Sequence, residues 1–403
     1  MINDIILTDK QQQGLEIAVS RYKQHKPYTC IAGYAGTGKS TLVRFIIQAL
    51  RLPPQDVAFI TYTGKAALVL KEKGNHNAMT AHHLLYQSYP RADGTFFHKP
   101  RRPLEYPYKL IVVDEVSMLP KDMWDLLLTH KIPVLALGDP FQLPSLNEDN
   151  YVLQEPHVFL TEIMRQALDS EIIRVSMDIR HGKPLQLMKG NEVHIIDKNE
   201  LSSGMLKWAD QILVATNKTR HFYNDLMRTY LFGEHPTEPI EGDKIICLRN
   251  DWDCITGNGD VLVNGLTGYI SNISCEENRN MPMRIRKEMP IIMNADFVPD
   301  YYDEESEAVY NGMGVFEDLR MDYKLFTTHE PTVNKQNFRQ IPQQFKPHEF
   351  DYGYAITTHK AQGSEYDKVL VMEENFPRAG EEHQRWLYTA VTRASKKLVI
   401  VRK

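Results

Sequence analysis

Residues 33–41 carry the feature that most constrains this chain. They read Gly-Tyr-Ala-Gly-Thr-Gly-Lys-Ser-Thr, a G-x-x-x-x-G-K-S pattern between an apolar stretch at 28–32 and an amphipathic one at 42–50. The first flank is typical of a buried strand and the second of a helix. Glycines let backbone N–H groups turn toward phosphate oxygens, and the helix N-terminus adds partial positive charge. The pattern in this context predicts a nucleoside-triphosphate site rather than a glycine-rich turn without a ligand.

Individual residues of this loop have expected roles. Lys39 should reach the β- and γ-phosphates, and the Ser40 hydroxyl should ligate magnesium. The expected nucleotide contacts within the loop are Gly33, Gly36, Thr37, Gly38, Lys39, Ser40 and Thr41.

The length and composition indicate a multidomain soluble protein. At 403 residues the chain is too long for one compact core, so we expect two to four domains. It has no run of about eighteen apolar residues, and residues 1–4 lack the basic and apolar regions of a secretory signal. We expect no membrane span and a cytoplasmic location, which is the host cytoplasm if a phage encodes the chain.

Charge and cysteine usage narrow the partners and the compartment. The 47 basic and 52 acidic residues give a net charge of −5, which argues against a protein coated in nucleic acid but allows a narrow groove for a few phosphates. Because the cysteines lack zinc-finger spacing, we expect free thiols in a reducing cytoplasm. The cysteines are Cys30, Cys247, Cys254 and Cys275.

Two further strand ends carry candidate chemistry. Residues 109–115 form an apolar run that ends in Asp114 and Glu115, as a central parallel strand does where ligands gather. We expect Asp114 to hold magnesium through water and Glu115 to act as general base on the water that attacks the γ-phosphate. Gln142 follows the predicted strand at 134–137 and could sense the γ-phosphate, although an ordinary Gly-Asp-Pro turn is the alternative there.

The rest of the chain continues an α/β rhythm with two interruptions. Near the start, Thr8 or Asp9 should cap a helix that carries Gln11, which either faces solvent or bonds the nucleotide base. Residues 86–108 contain an Asp-Gly turn followed by aromatics and predict a β-hairpin. Between about 243 and 345, short strands and charged turns predict a small inserted β-rich module. Further strands are predicted at 57–62, 211–217, 368–372 and 398–401, and helices at 63–70, 171–179 and 221–232.

The order of these motifs resembles the superfamily 1 helicases of the RecD/Dda-like (1B) branch, particularly the phage Dda type. Two positions depart from the family pattern: Tyr62 replaces the usual proline before TGKAA, and Ser145 replaces the second proline after Gln-Leu-Pro. The matching segments are GYAGTGKST at 33–41, TGKAA at 63–67, VVDEVSM at 112–118, GDPFQLP at 138–144, MRQ at 164–166, TNK at 216–218, THKAQGSEYD at 358–367 and YTAVTRA at 388–394.

The resemblance implies an α/β fold with two RecA-like P-loop domains and ATP between them. It implies a β-hairpin insertion in the first domain and a small β-rich, SH3-like insertion in the second. The expected boundaries are 1–165 for the first domain with its hairpin at 86–108, 166–243 plus 346–403 for the second domain, and 244–345 for the inserted module.

The resemblance also implies roles around ATP and Mg²⁺. Gln11 would read the adenine and Glu365 would contact the ribose. Arg165 and Arg393 would reach across the cleft, where a guanidinium stabilises charge on the transferring phosphoryl group; a surface ion pair is the alternative for either arginine alone. The expected catalytic residues are Lys39, Asp114, Glu115, Gln142, Arg165 and Arg393.

Single-stranded DNA would lie across both domains. Hydroxyls and backbone N–H groups would hold phosphates, and aromatic or imidazole faces would stack on bases. The hairpin would act as a separation pin, with Phe96 or Phe97 at the junction of single- and double-stranded DNA. The other expected DNA contacts are Thr63, Gly64, Lys65, Thr80 and His82 on the first domain and Thr357, Thr358, His359 and Lys360 on the second.

These implications describe an ATP-dependent DNA helicase, and branch membership implies 5′-to-3′ movement. We expect a monomer, with a single-strand binding protein or a replisome component as candidate partners in replication, recombination or repair. One alternative is a nucleic-acid-stimulated ATPase that remodels protein–DNA complexes without unwinding. Another is a nucleotide-gated loader, although Glu115, Gln142 and Arg393 together form a hydrolytic set that a loader does not need. RNA is a lesser alternative as the track, because nothing in the sequence is marked to read a 2′-hydroxyl.

Overall fold

Two largely parallel sheets and one antiparallel sheet organise the chain. The computed structural model describes residues 6–90, 96–143, 151–233, 237–257, 261–279, 283–300, 314–331, 346–376 and 380–403. We name three parts by their sheets: the first lobe up to residue 168, the second lobe at 169–233 and 354–403, and the β-rich module at 237–353.

The helices and strands of each part follow in chain order. The first lobe contains α1 (Asp9–Lys23), β1 (Tyr28–Gly33), α2 (Lys39–Ala49), β2 (Val57–Thr61), α3 (Gly64–Glu72), β3 (Ala78–Thr80), α4 (Ala81–Leu85), β4 (Tyr86–Pro90), β5 (Phe96–Pro100), β6 (Leu110–Val113), α5 (Lys121–Thr129), β7 (Val134–Gly138), α6 (Tyr151–Gln154), β8 (Val158–Leu160) and α7 (Arg165–Leu168). The second lobe begins with α8 (Glu171–Arg180), β9 (Met188–Lys189), β10 (Val193–Asp197), α9 (Ser203–Trp208), β11 (Gln211–Val214) and α10 (Asn217–Phe232). The β-rich module contains β12 (Lys244–Cys247), β13 (Asp251–Ile255), β14 (Val261–Leu262), β15 (Thr267–Glu277), α11 (Met283–Glu288), β16 (Ile291–Pro299), β17 (Phe316–Met321), α12 (Tyr323–Thr328) and β18 (Phe350–Tyr352). The second lobe ends with β19 (Ala355–Thr357), β20 (Tyr366–Met372), α13 (Glu381–Val391) and β21 (Ala394–Arg402).

The first lobe is built on a six-stranded parallel sheet in the order β3-β2-β6-β7-β1-β8. Its central strands are apolar throughout because helices cover both faces. Ile111 and Val113 of β6 pack with Trp124 in one core, whereas Leu110 and Val112 pack with α2 in the other. The segments that follow β1, β6 and β7 therefore emerge together at one edge of the sheet.

The second lobe repeats this arrangement. Its sheet has the order β19-β11-β20-β21-β10-β9 and is parallel except for the edge strand β9. Trp386 and Leu387 of α13 are buried in its core, and α13 packs against α8. The expected mixed α/β fold with parallel sheets is confirmed.

The β-rich module contains a five-stranded antiparallel sheet in the order β17-β16-β15-β12-β18, and β13 pairs with β14. Met293, Ala295 and Phe297 alternate along β16 and enter the core. β16, β17 and α12 lie within the range of about 243–345 that was predicted for the inserted module.

The predicted hairpin region holds an antiparallel pair. β4 pairs with β5, so that Tyr86 faces Pro100 and Pro90 faces Phe96. The pairing ends at Pro100, short of the predicted limit at residue 108, and the chain then returns to β6. The Asp93-Gly94 turn lies outside the described residues.

Local hydrogen bonds explain several element boundaries. Thr8 is the N-cap of α1 in a capping box with Gln11, which decides between the two predicted caps. The strand predicted at 211–217 ends at Val214, and α10 begins at Asn217, because the Thr216 hydroxyl accepts from the Thr219 N–H at 3.2 Å.

Two other expectations concern the whole chain. All four cysteines are free, as expected. Among the described residues, no helix is both long and apolar enough to cross a lipid bilayer.

Candidate nucleotide site and nucleic-acid face

A pocket opens between the two lobes, at the edge where the strands of the first sheet end. The predicted site residues that line it are Lys39, Ser40, Asp114, Glu115, Gln142, Glu365 and Arg393. Ala35, Lys73 and Asp139, which no sequence argument selected as site residues, line it as well. The fold thus brings motifs from the two ends of the chain to one cavity.

The phosphate loop is held in shape by bonds to itself. Gly36 and Gly38 have φ angles of +76° and +77°, a left-handed conformation that costs glycine little. Lys39 begins α2, and its Nζ donates to the Gly33 and Tyr34 carbonyls at 2.6 and 3.2 Å. Ser40 and Thr41 follow it on the first turn of the helix. The ammonium therefore lies over the loop that would cradle phosphates.

Gln11 lies behind the phosphate loop. Its side chain is 1% exposed, so the solvent-facing alternative is wrong. Its Nε2 donates to the Thr37 carbonyl at 3.0 Å, and its Oε1 accepts from the Thr8 N–H at 3.0 Å. Both ends of the amide are thus engaged within the protein, and its contact with adenine stays a prediction.

Asp114 and Glu115 follow β6 directly into the pocket. Glu115 has a φ of +50°, and its N–H donates to Asp114 Oδ1 at 3.0 Å. Burial and the neighbouring Glu115 charge raise the pKa of Asp114 to about 6, against the opposing effect of Lys39. A divalent cation relieves such crowded negative charge, and the Ser40 hydroxyl and Asp114 carboxylate supply the oxygen ligands that Mg²⁺ prefers. The donor set fits Mg²⁺.

Gln142 lies between the first-lobe carboxylate and the second-lobe arginine. Its amide bonds both neighbours when its nitrogen faces Glu115 Oε2 at 3.3 Å and its oxygen faces Arg393 Nη2 at 3.0 Å. Arg393 is buried, and its guanidinium also donates to the Thr389 and Ser364 carbonyls, each at 3.2 Å. These three side chains form a continuous polar chain across the cleft.

Two predicted residues stand at the margins of the site. Arg165 is the first residue of α7, and the preceding Met164 N–H donates to the Gly36 carbonyl at 3.0 Å, which fixes this segment beside the phosphate loop. Glu365 is exposed, and its Oε2 pairs with Lys73 Nζ of the first lobe at 3.0 Å. No sequence motif identified Lys73 as a site residue, because its partner Glu365 lies near the opposite end of the chain.

On the first lobe, most of the predicted DNA contacts also have local roles. The Thr63 hydroxyl caps α3, with Gly64 as its first residue, and the Thr80 hydroxyl caps α4. His82 stacks on Tyr86 with ring centroids 4.8 Å apart. Burial, with neighbouring charge, lowers the pKa of His82 to about 4, so the ring is neutral at pH 7 and suited to stacking on a base rather than neutralising a phosphate.

Lys65 differs most from expectation. Its side chain is buried, and Nζ lies 3.1 Å from Asp300 Oδ1, 3.2 Å from Thr267 Oγ1 and 4.4 Å from the Tyr366 ring centroid. A buried ammonium needs a carboxylate partner, and Asp300 provides it from the end of β16. In this structure the Lys65 ammonium therefore joins the first lobe to the β-rich module instead of facing a DNA backbone.

The predicted contacts on the second lobe are mixed. Thr358 is fully buried, and its hydroxyl donates to the Val214 carbonyl at 3.4 Å. Contrary to expectation, its side chain therefore does not reach the surface. Thr357 and His359 are half-buried. Lys360 Nζ bonds Asn264 Oδ1 of the β-rich module, and burial lowers the pKa of this lysine to about 8.

The loop at 263–267 meets both predicted DNA-binding segments. Thr267 bonds Lys65 of the first lobe, and Asn264 bonds Lys360 of the second. Phe96 and Phe97 lie on β5, away from this loop in sequence, and His98 of the same strand lies 3.4 Å from Asp253 of the module. The β-rich module thus contacts the segments that carry Lys65 and Lys360 and the strand that carries Phe96 and Phe97.

Comparisons with known proteins agree with this arrangement. A family model described as an AAA domain matches residues 7–199, and one described as a UvrD-like helicase C-terminal domain matches residues 352–401. The ATP-dependent RecD2 DNA helicase of Deinococcus radiodurans is 34% identical over 395 residues, covering 90% of this chain and 45% of the relative. The ATP-dependent DNA helicase dda of Enterobacteria phage T4 is 28% identical over 191 residues, covering 44% of this chain and 43% of the relative.

The chain therefore spans less than half the length of these two relatives. A crystal structure of a Bacteroides Pif1 helicase in complex with ADP-AlF3 and ssDNA shares the fold, with a TM-score of 0.50 and 17% identity over 98% of this chain and 92% of that one. The order of motifs, the two matched family models and these two relatives place the chain among the superfamily 1B helicases of the RecD/Dda-like type.

Proposed function

We propose that this protein is an ATP-dependent DNA helicase that moves along single-stranded DNA. The observation that carries the proposal is the pocket in which Lys39, Asp114 and Glu115 of the first lobe face Arg393 of the second. A site divided in this way makes hydrolysis depend on the relative position of the lobes. The two relatives described above are named as ATP-dependent DNA helicases.

The pocket residues have distinct proposed tasks. Lys39 exchanges its loop carbonyls for the β- and γ-phosphates, and Glu115 takes a proton from the attacking water, which Gln142 orients. Arg393 stabilises charge on the transferring phosphoryl group, a task that Arg165 shares. Ser40 and Asp114 would hold Mg²⁺, which would neutralise phosphate charge. Gln11 and Glu365 complete the site on the adenine and ribose sides.

The proposed DNA path runs over both lobes, beside the points where the 263–267 loop bonds Lys65 and Lys360. Thr63, Thr80 and His82 hold the strand on the first lobe, and Thr357 and His359 on the second. Since the β-rich module bonds both lobes beside these residues, we propose that it covers the strand. The β4–β5 hairpin acts as the pin, movement is 5′-to-3′, the active form is a monomer, and single-strand binding or replisome proteins are its partners.

Strand displacement tests the proposal directly. The substrate is one duplex with either a 5′ or a 3′ single-stranded tail, and ATP is present. We expect unwinding from the 5′ tail alone, its loss in Lys39→Ala, and its retention in Lys121→Ala, which breaks an exposed i,i+4 pair with Asp125. Unwinding from the 3′ tail alone would contradict the proposed 5′-to-3′ polarity but would still support ATP-driven movement along DNA.

A second arm separates unwinding from translocation. A Phe96→Ala, Phe97→Ala double variant should lose strand displacement while it retains ATPase activity stimulated by single-stranded DNA. Unchanged displacement would remove the pin from the proposal. Absence of displacement by the wild type, with ATP still hydrolysed on single strands, would favour the translocase that remodels protein–DNA complexes.

A further inference from the structure

Tyr388 crosses the cleft between the lobes. It lies on α13 of the second lobe and is 1% exposed. Its hydroxyl donates to Asp139 Oδ2 at 2.6 Å and accepts from the Ala35 N–H at 2.8 Å. Asp139 follows β7, and Ala35 belongs to the phosphate loop. One hydroxyl thus links the second lobe to two separate segments of the first.

The chemistry of these bonds makes the link specific. Asp139 is 1% exposed and accepts from the Phe141 N–H at 2.9 Å and from the Tyr388 hydroxyl. A hydrogen bond from a hydroxyl to a buried carboxylate is short and strong. Burial raises the pKa of Asp139, an effect that the Lys39 charge and these hydrogen bonds oppose. The carboxylate therefore depends on the Tyr388 hydroxyl as a donor.

The same helix leads directly to Arg393. Thr389, the next residue, accepts from the Leu143 N–H through its hydroxyl at 2.9 Å, and its carbonyl accepts from Arg393 Nε at 3.2 Å. Tyr388 and Thr389 thus attach the end of α13 to the segment that carries Gln142. Any displacement of this helix end would move the guanidinium relative to Gln142 and Glu115.

We propose that Tyr388 is a positioning residue. Its hydroxyl bonds Asp139 and the Ala35 N–H, and these bonds hold α13 where Arg393 meets Gln142 and Glu115. The inference rests on the proposed ATP hydrolysis. The ring of Tyr388 makes a separate packing contact, edge-on to Phe141 at 5.3 Å. Replacement by phenylalanine retains this ring contact and removes only the hydroxyl bonds.

The test compares two tyrosine hydroxyls that each bond a buried aspartate. Tyr388→Phe removes the bond to Asp139. Tyr354→Phe removes the bond from the Tyr354 hydroxyl to Asp243 Oδ1, 3.1 Å long and remote from the pocket. With saturating single-stranded DNA, we expect kcat for ATP hydrolysis to fall about tenfold in Tyr388→Phe, because small displacements of catalytic groups cost this much or more. The KM for ATP should change less than about twofold, since substrate binding is retained. Tyr354→Phe should keep the wild-type kcat.

A double variant tests the route through the arginine. If Tyr388 acts by positioning Arg393, the Tyr388→Phe change should not lower kcat further in an Arg393→Ala background, measured in single turnovers. An equal fall in both backgrounds would overturn the proposal, as would a wild-type kcat in Tyr388→Phe. If Tyr388→Phe unfolds at a lower temperature than Tyr354→Phe, Asp139→Asn provides the second variant, with the same expected loss of kcat.

The wild type separates this inference from the proposed function. If the wild type hydrolyses ATP and the Tyr388→Phe variant hydrolyses it equally well, only the role of Tyr388 is contradicted. A wild type without DNA-stimulated hydrolysis contradicts the proposed function, and the positioning role falls with it.

Discussion

Buried charged residues in this protein are paired with partners that are distant in sequence. Lys65 pairs with Asp300, and Arg228 Nε lies 2.9 Å from Asp243 Oδ1, with all four side chains at most 10% exposed. Asp300 also lies 3.7 Å from Lys244 Nζ, so one carboxylate serves two buried ammonium groups. Both lysines lower the pKa of Asp300 and overcome the opposing effect of its burial.

Removing the Asp300 charge should therefore destabilise the protein strongly. Asp300→Asn leaves Lys65 and Lys244 buried without a countercharge, and we expect a loss of about 3 kcal/mol in the free energy of unfolding. The matched control is Asp125→Asn, which breaks an exposed Lys121–Asp125 pair and should cost less than about 0.5 kcal/mol. Urea unfolding measures both variants. Equal costs would mean that the buried pair contributes no more than a surface one.

At the scale of elements, a charged cluster joins α10, α12 and β18. His329 ends α12 with a φ of +57°, and its ring stacks on His221 with centroids 4.0 Å apart. Ligand atoms of His221, His329 and Asp351 lie within 4.8 Å of one another, a spacing that could hold a metal ion. However, an Arg220 nitrogen lies 2.7 Å from His221 Nε2 and 2.6 Å from Asp351 Oδ2. The Arg220 guanidinium thus bonds atoms that would otherwise be ligands of a metal ion.

This cluster should make stability depend on pH. Asp225 and Asp351, 3.5 and 3.4 Å from the ring nitrogens, raise the pKa of His329 to about 9 from 6.5. A pKa raised by folding means that the contribution is fully present below pH 6.5 and lost as pH rises through about 9. We expect the difference in Tm between wild type and His329→Asn to shrink over this interval.

The control for this measurement is His25→Asn. His25 is exposed and has a similar left-handed φ of +53°, which asparagine tolerates well. Its Tm difference from the wild type should stay constant across the same pH range. A constant difference for His329→Asn as well would contradict the role assigned to the two aspartates.

At the scale of the whole molecule, the lobes are held together beside the nucleotide pocket. Gln362 Nε2 of the second lobe donates to the Leu143 carbonyl at 2.6 Å, and an Arg385 nitrogen donates to the Pro140 carbonyl at 2.9 Å. Both acceptors lie in the segment that carries Gln142. The same segment therefore borders the pocket and connects the two lobes. For this reason, we expect ligand binding in the pocket to change the stability of the whole fold.

Nucleotide should accordingly stabilise the protein against unfolding. At an ADP concentration of about 100 Kd with Mg²⁺, linkage predicts about 2.7 kcal/mol of added stability. We expect a matching rise in Tm in the wild type and in Lys121→Ala, and its absence in Lys39→Ala. Removing Mg²⁺ with a chelator should reduce the rise, because the Asp114 and Glu115 carboxylates then face the phosphates without a cation. A full rise in Lys39→Ala would place the nucleotide elsewhere.

Much of the fold and of the nucleotide site could be predicted because the signals are local. The flanks of the phosphate loop, the apolar run before Asp114 and the turn before Gln142 each lie within about ten residues. Parallel strands end at a common edge, so these motifs had to converge once each strand was recognised. The individual strands of the β-rich module were harder to predict, because β16 and β17 carry no motif and β12 pairs with β18, which is about 100 residues away in the sequence.

By itself, then, the sequence determined the α/β class and the phosphate-loop motif, and it predicted which residues would bind ATP. Only the tertiary structure decided that Lys65 joins the β-rich module, that Thr358 is buried, and that Tyr388 bonds Asp139 and the phosphate loop. The physical reason is burial. A lysine, threonine or tyrosine has the same local pattern whether it faces water or a distant partner, and only the packed chain determines which of these it meets.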